Sequence, residues 1–376
     1  MIIVGKQRVV VSIYDGFGLD YLNQSPMPVF KHMMNSGFYK EVKSIFPTVT
    51  NTNNVSICCA ALPKDHGVTG NSWFDPITEE CHYMEEADYI LMPTMIQKAA
   101  NKGVKCALLT SKVKTIGLLG KHADIAVAAE APPPAYVKKY GKPSGVYSCE
   151  INYWLWHVAI DIIKNRPDIG LLYVHTTDYP MHAWAPDEKE SREHLSNLDS
   201  LLGEAHGAAP DVAFLITADH GMNYKTRCWD LVRACNEVGI KLKFALSPER
   251  DKYLKHHRTF GGAAWVWLND PGDTLEAMTA IGELQGVEEV LTRQDAASRF
   301  GLMPERIGEL VIVGKKDTVF GELDTPMELL GPTYRSHGSL HESDVPLLIF
   351  NSSGDVPSTG DQYILNADLT RHLIGL

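Results

Sequence analysis

The stretch Arg8-Val9-Val10-Val11-Ser12-Ile13-Tyr14, followed at once by Asp15-Gly16-Phe17-Gly18, decides the fold. Seven residues rich in β-branched aliphatics read as a buried strand, and the glycines after them read as its turn. Three further runs have the same form, at 104–110, 169–175 and 211–217. Amphipathic stretches of helical period separate them, at 93–102, 150–164 and 186–206. Strands alternating with helices predict an α/β fold around a mostly parallel sheet flanked by helices.

Ligands of open α/β sheets gather beyond the carboxyl ends of the strands, so the residues just after each run carry the functional reading. The first run is followed by Asp15 and the second by Ser111-Lys112-Val113-Lys114. The third leads into Thr176-Thr177-Asp178-Tyr179-Pro180-Met181-His182, the fourth into Ala218-Asp219-His220. Four strand ends thus deliver three carboxylates, two imidazoles and two ammonium groups.

From 223 to 331 the pattern changes. Strand candidates at 262–268, 287–292 and 309–314 are separated by turns and short helices, which predicts an α+β insertion capping the sheet. The chain returns through Ser336-His337-Gly338 to a last strand at 345–350. The expected organisation is a catalytic core of residues 1–222 and 332–376, with a cap of residues 223–331.

Composition narrows the function classes. The 376 residues carry a formal net charge of −11, which argues against binding phosphate backbones or anionic membranes. No apolar run approaches the ~20 residues needed to span a bilayer. Residues Met1–Arg8 lack the n-region and h-region of a secretory signal, so a cytoplasmic location is expected. Seven cysteines, an odd count without framework spacing, fit a reducing compartment. Cys58 and Cys59 lie in an apolar stretch and read as buried structural thiols.

Asp15, Asp178, His182, Asp219, His220 and His337 make three aspartates and three histidines, enough for two metal sites of three protein ligands each. Mixed nitrogen and oxygen ligation without thiolate suits Zn2+ first, with Mn2+ or Fe2+ as alternatives. Singly these motifs are ordinary turns or solvated helix faces; their joint placement at strand ends points to a catalytic metal centre. His122, His157, His194, His206, His256 and His257 have no such context and read as bland. Thr50 precedes an apolar helical run at 55–62, so it falls near a helix N-terminus that favours an anion. A threonine hydroxyl becomes a nucleophile when a metal lowers its pKa.

Asp15-Gly16-Phe17, Phe46-Pro47-Thr48-Val49-Thr50, His66-Gly67-Val68-Thr69-Gly70-Asn71, Thr177-Asp178 with His182, Asp219-His220-Gly221-Met222 and Ser336-His337-Gly338 resemble the alkaline phosphatase superfamily. The match is to its type I phosphodiesterase/nucleotide pyrophosphatase branch. The resemblance implies that Thr50 is the nucleophile between two zinc ions. One ion would take Asp15, Asp219 and His220, the other Asp178, His182 and His337. The sulfatase Cys-x-Pro-x-Arg motif is absent from the sequence.

Within that branch, residues 50–54, residues 176–186 and the Lys112/Lys114 pair resemble phosphonoacetate hydrolases. The resemblance gives the lysines the substrate carboxylate. Breaking a P–C bond expels a carbanion, and cations aimed at the adjacent carboxylate stabilise charge as it develops. Asn53 or Asn54 is expected to hold a non-bridging oxygen. The alternative is a phosphodiesterase or nucleotide pyrophosphatase, for which Trp73, Tyr83 and Trp184 offer an aromatic slot. The expected partner is a small anionic phosphonate or phosphate ester. No nucleic-acid polymer or membrane is expected; homodimerisation is allowed.

Overall fold

A computed structural model describes residues 6–353, 360–371 and 373, with residue 256 described for its backbone only. Residues 1–5 of the N-terminal stretch, and the tail of the predicted core beyond 373, lie outside this set.

Val9–Ile13 is the middle strand of seven. The order across the sheet is Phe38–Lys43, Asp344–Phe350, Ala213–Thr217, Val9–Ile13, Ile169–His175, Lys105–Thr110 and Ile125–Ala128. Parallel register sets Ile13 opposite both His175 and Thr217, and Thr110 opposite His175. Four strands therefore end level, and the residues after them meet along one edge. Asp344–Phe350 runs antiparallel to both neighbours. Its amino end therefore lies at that same edge, which explains why His337 precedes its strand while the aspartates follow theirs.

The central strands are apolar on both faces because both are covered. Val9, Val10, Val11 and Ile13 are all buried, each contributing about 1.5–3 kcal/mol of transfer free energy. Glu150–Asn165 packs on Ile169–His175 and on Lys189–Ala208. Thr50–Cys59 packs on the turn Asn366–Thr370, which lies against Ala213–Thr217 and Asp344–Phe350. Cys58 and Cys59 are buried as expected, and all seven cysteines are free.

Residues 223–331 build their own sheets. A four-stranded antiparallel sheet runs Leu242–Leu246, Ala263–Leu268, Leu310–Gly314, Val287–Thr292. Leu242–Leu246 was not foreseen, because its register slips between Leu242 and Phe244 and blurs the alternation. At the base, Asn223–Tyr224 pairs with Arg335–Ser336, so the chain leaves and returns side by side. Aromatic packing seats this unit on the core: Phe46 meets Trp265 at 5.9 Å and Phe74 meets Trp267 at 4.9 Å between ring centroids.

Candidate active site

The three aspartates and His220 sit two or three residues beyond level strand ends, His182 one short helix further, and His337 before the antiparallel strand Asp344–Phe350. Gly16, at φ +74°, lets the chain turn after Asp15, and a Cβ there would press on Met181 and Asp178 at about 3.1–3.2 Å. Asp15, Asp178, Asp219, His182, His220 and His337 are all buried and lie together. His220 Nε2 is 3.5 Å from Asp15 Oδ1 and 3.6 Å from Asp219 Oδ2. His182 Nε2 is 2.8 Å from Asp178 Oδ2, and His337 Nε2 is 3.7 Å from the same oxygen. The rings of His220 and His337 stack with centroids 3.5 Å apart.

The orientation of the three histidines is the informative feature. His182 Nδ1 lies 2.8 Å from the Arg335 carbonyl, His220 Nδ1 2.9 Å from the Gly221 carbonyl, and His337 Nδ1 2.7 Å from the Thr48 carbonyl. A carbonyl can only accept, so each Nδ1 is the donor to it, and each ring presents its Nε2 to the cluster. That is the arrangement by which backbone carbonyls orient metal-binding imidazoles.

Charge in the cluster agrees. Neither oxygen of Asp15 has a hydrogen-bond partner among the described residues, nor do Asp219 Oδ2 and His337 Nε2. Burial, with Asp15 close by, pushes the Asp219 carboxyl well above its ordinary range. Burial, with His220 and His182 beside it, pushes His337 well below the usual imidazole value. Buried polar atoms without a hydrogen-bond partner, such as both oxygens of Asp15, Asp219 Oδ2 and His337 Nε2, are costly unless a cation lies between them. Asp178, His220 and His337 form one group able to hold a metal ion; Asp15, His175 and Asp219 form another. The residues fit bound metal.

Thr50 opens the helix Thr50–Cys59 behind the cap residue Val49, and its Oγ1 lies 3.5 Å from His220 Nε2. The next amide, Asn51 N–H, donates to Asn71 Oδ1 at 3.0 Å, while Asn71 Nδ2 donates to Glu249 Oε2 at 3.2 Å.

Two expected substrate contacts are corrected here. The Asn53 carboxamide accepts from Ile45 N and Asn366 Nδ2, and donates to the carbonyls of Ile45, Pro47 and Val49. It braces the loop before the helix and has nothing left for a substrate. Asn54 donates to the Thr50 carbonyl, contacts His175 Nε2 at 3.2 Å and accepts from Tyr173. It supports the centre from behind. Asn71, part of the His66–Asn71 motif, is the amide that lies beside Thr50, bonded to the next residue's N–H.

Lys112 and Lys114 are both buried beside the cluster. Lys112 Nζ is 3.6 Å from Asp178 Oδ1 and 5.1 Å from the Tyr253 ring centre. Burial opposes its charge, but Asp178, Asp15, Asp251 and Glu249 together outweigh burial and raise its pKa. Lys114 pairs directly with Asp251. Glu249, Asp251 and Tyr253, from the stretch 223–331, wall the site with two carboxylates that no motif announced. His257, passed over as bland, reaches the same wall, with Nε2 3.7 Å from Glu249 Oε1. His175, at the end of its strand, was also missed; its Nε2 is 3.3 Å from Asp15 Oδ2. The aromatic slot divides into separate groups. Trp73 packs on His82 and Tyr89, while Trp184 packs on Tyr179.

A family model described as type I phosphodiesterase / nucleotide pyrophosphatase matches residues 9–340. The chain belongs to this family. Among its relatives, the bis(5'-adenosyl)-triphosphatase enpp4 of Xenopus laevis is 31% identical over 258 residues, covering 64% of this chain and 51% of that protein. The chain spans about half the length of the curated relatives it matches. Phosphonoacetate hydrolase from Sinorhizobium meliloti 1021, solved with phosphonoacetate and with phosphonoformate, superposes with a TM-score of 0.88 at 28% identity. The overlap covers 98% of this chain and 96% of that one. Murine ectonucleotide pyrophosphatase/phosphodiesterase 5, at 18% identity and a TM-score of 0.69, shares the fold. The buried cluster thus lies within the stretch matched by the type I phosphodiesterase / nucleotide pyrophosphatase family model.

Proposed function

We propose that this protein is a dinuclear metal hydrolase that cleaves the P–C bond of phosphonoacetate to acetate and phosphate through a phosphothreonine at Thr50. The observation that carries the reading is the set of three histidines turned by backbone carbonyls toward three buried aspartates around the Thr50 hydroxyl, with two buried lysines beyond. The whole-length likeness to a phosphonoacetate hydrolase supports it. In this reading residues 1–222 and 332–376 are the catalytic core and residues 223–331 its cap.

Asp15, Asp219 and His220 would hold one cation, and Asp178, His182 and His337 the other, with zinc the best match to the donors. Bound there, the cations supply positive charge for the phosphoryl oxygens and lower the pKa of coordinated hydroxyls. Thr50 Oγ1 attacks phosphorus in line with the departing carbon. Asn71, held by Asn51 N–H, is placed to donate to a non-bridging oxygen. Lys112 receives the substrate carboxylate, into which the carbanion's charge spreads as the bond breaks. Acetate departs after gaining a proton from water, and a second water hydrolyses the phosphothreonine.

A second reading keeps the same residues but takes phosphate diesters, and the family match favours it. Two assays separate them: phosphate release from phosphonoacetate, and nucleoside monophosphate release from a dinucleotide or aryl ester. Release from the ester alone rejects the P–C reading. In either case Thr50→Ala should lower turnover at least ~10³-fold, since it removes the nucleophile.

A further inference from the structure

Three ammonium groups surround a single ring. Lys112 Nζ lies 5.1 Å, Lys114 Nζ 5.7 Å and Lys252 Nζ 5.8 Å from the centre of Tyr253, which is itself buried. Two of the three have carboxylate partners, Lys114 in Asp251 and Lys252 in Glu85. Among the described residues, Lys112 Nζ makes no hydrogen bond, and its nearest carboxylate oxygen, Asp178 Oδ1, is 3.6 Å away. The Tyr253 hydroxyl donates to Glu130 Oε2 at 2.7 Å, and the same oxygen accepts from Val113 N–H at 2.9 Å. Glu130 N–H in turn donates to the Ser111 carbonyl at 3.0 Å. The contacts close a circuit. It runs from the ring to the ammonium groups, along the backbone of residues 111–114, and back through Glu130 to the hydroxyl on the ring.

A lysine ammonium rides on a flexible four-carbon stem, so it stays in one place only where something holds it. A carboxylate at hydrogen-bond distance holds it but also neutralises it, as Asp251 does for Lys114. An aromatic face holds a cation through the ring quadrupole and leaves its N–H donors to a further anion. A buried ammonium without a hydrogen-bond partner is otherwise costly. We propose that Tyr253 is the positioning residue through which the site prefers a phosphonate carrying a carboxylate. Its ring holds Lys112 ready for that carboxylate, and its hydroxyl, through Glu130, locks the ring to the loop that bears the lysine.

This deepens the P–C reading and rests on it, because that reading gives Lys112 the substrate carboxylate. Tyr253 acts through Lys112 and not on the reacting atoms. The carboxylate is present in the bound substrate and in the transition state alike, so loss of the ring should show first in binding. A phosphonate without the carboxylate offers Lys112 no such group, and comparison with it isolates the effect.

The test measures binding of phosphonoacetate and of methylphosphonate to the metal-replete full chain by calorimetry, in a Thr50→Ala background that prevents turnover. Phosphonoacetate should bind at least about tenfold tighter, the scale of one charged hydrogen bond. Adding Tyr253→Leu should bring the two to within about twofold, whereas Tyr253→Phe, which keeps the ring, should retain a gap of about fivefold. With Thr50 intact, Tyr253→Leu should raise the KM for phosphonoacetate about tenfold and change kcat less. Should Tyr253→Leu fail to fold, Glu130→Ala decides instead: a narrower gap supports the proposal and an unchanged one overturns it. Equal binding of the two compounds before Tyr253 is changed overturns it, as does a gap that survives Tyr253→Leu. An equal loss on both compounds also overturns it, leaving Tyr253 a wall of the site and no more. A gap that closes in Tyr253→Leu, with no phosphate released from phosphonoacetate by the protein with Thr50 intact, overturns the P–C reading and leaves the role of Tyr253 standing.

Discussion

At the scale of single residues, Asn53 and Asn71 show how one amide type serves two ends. Asn53 spends its carboxamide on five backbone and side-chain partners around the helix entry. Asn53→Ala should therefore cost about 3 kcal/mol in denaturant unfolding, since it strands buried partners. Asn71→Ala should instead lower turnover roughly 10²-fold, the usual loss for a donor to a developing oxyanion. A loss of activity confined to Asn53→Ala would reverse the assignment. Sequence alone could not separate the asparagines, because the side of a helix start that meets the substrate is set by what packs there. His66 and His194 give a pH signature away from the metal cluster. Burial pushes both down to about 3, with Arg306 adding to the effect at His66. His66 accepts from Val68 N–H at Nδ1, which leaves its Nε2 proton for Ser56 Oγ at 2.8 Å. A histidine whose folded pKa is depressed gives its full stability above its unfolded value of about 6.5. That stability is lost as pH falls from there toward 3. Each should thus steepen acid destabilisation by up to about 1.4 kcal/mol per pH unit between those limits. His66→Gln should flatten that limb in denaturant titrations at stepped pH; an unchanged slope would show that His66 takes up its proton without unfolding.

At the scale of elements, the level ends of four parallel strands were legible because β-branched runs mark the strands and polar doublets mark their ends. What the sequence could not show is that Asp344–Phe350 runs backward, which places His337 at the same edge from the other direction. The cap's reach into the site was also hidden. Glu249, Asp251 and Tyr253 sit in no motif, and only the chain path from Leu242–Leu246 carries them to Lys112 and Lys114. The packing of the stretch 223–331 on the large sheet's loops is tight at Gly262, whose N–H donates to the His337 carbonyl at 2.8 Å and where a Cβ would fall 2.6 Å from Ser339 Cβ. Gly262→Ala should push the His337 loop aside and weaken metal retention, measured by competition with a chelator. Unchanged affinity would mean the loop tolerates the shift. The fully buried pair Lys225–Glu342 at 2.8 Å fixes the same loop, because Glu342 also accepts from Ser339. Glu342→Gln should weaken metal retention as well, and should cost about 3–5 kcal/mol of stability by leaving the Lys225 charge unpaired.

For the whole molecule, the net charge of −11 says little about the site, where two buried lysines stand beside a cluster of buried carboxylates. No helix among the described residues is long and apolar enough to cross a membrane. The gathering of the lysine pair with the aspartates and histidines was legible from their places at strand ends, but the counter-charges Glu249 and Asp251 were not, so the site is closer to charge balance than the sequence suggested. The cluster also sets a global property. Bound cations relieve three buried carboxylates, so chelation should lower the melting temperature and re-addition of zinc should restore it; a site holding ions at 1,000 times its Kd adds about 4 kcal/mol. The most direct test of the central claim is phosphate release from phosphonoacetate by the zinc-loaded protein, run beside a chelated sample and Thr50→Ala. The loaded protein should release phosphate and acetate in equal amounts, and the other two samples none above background. Nucleotide ester cleavage without phosphate release from any phosphonate would contradict it.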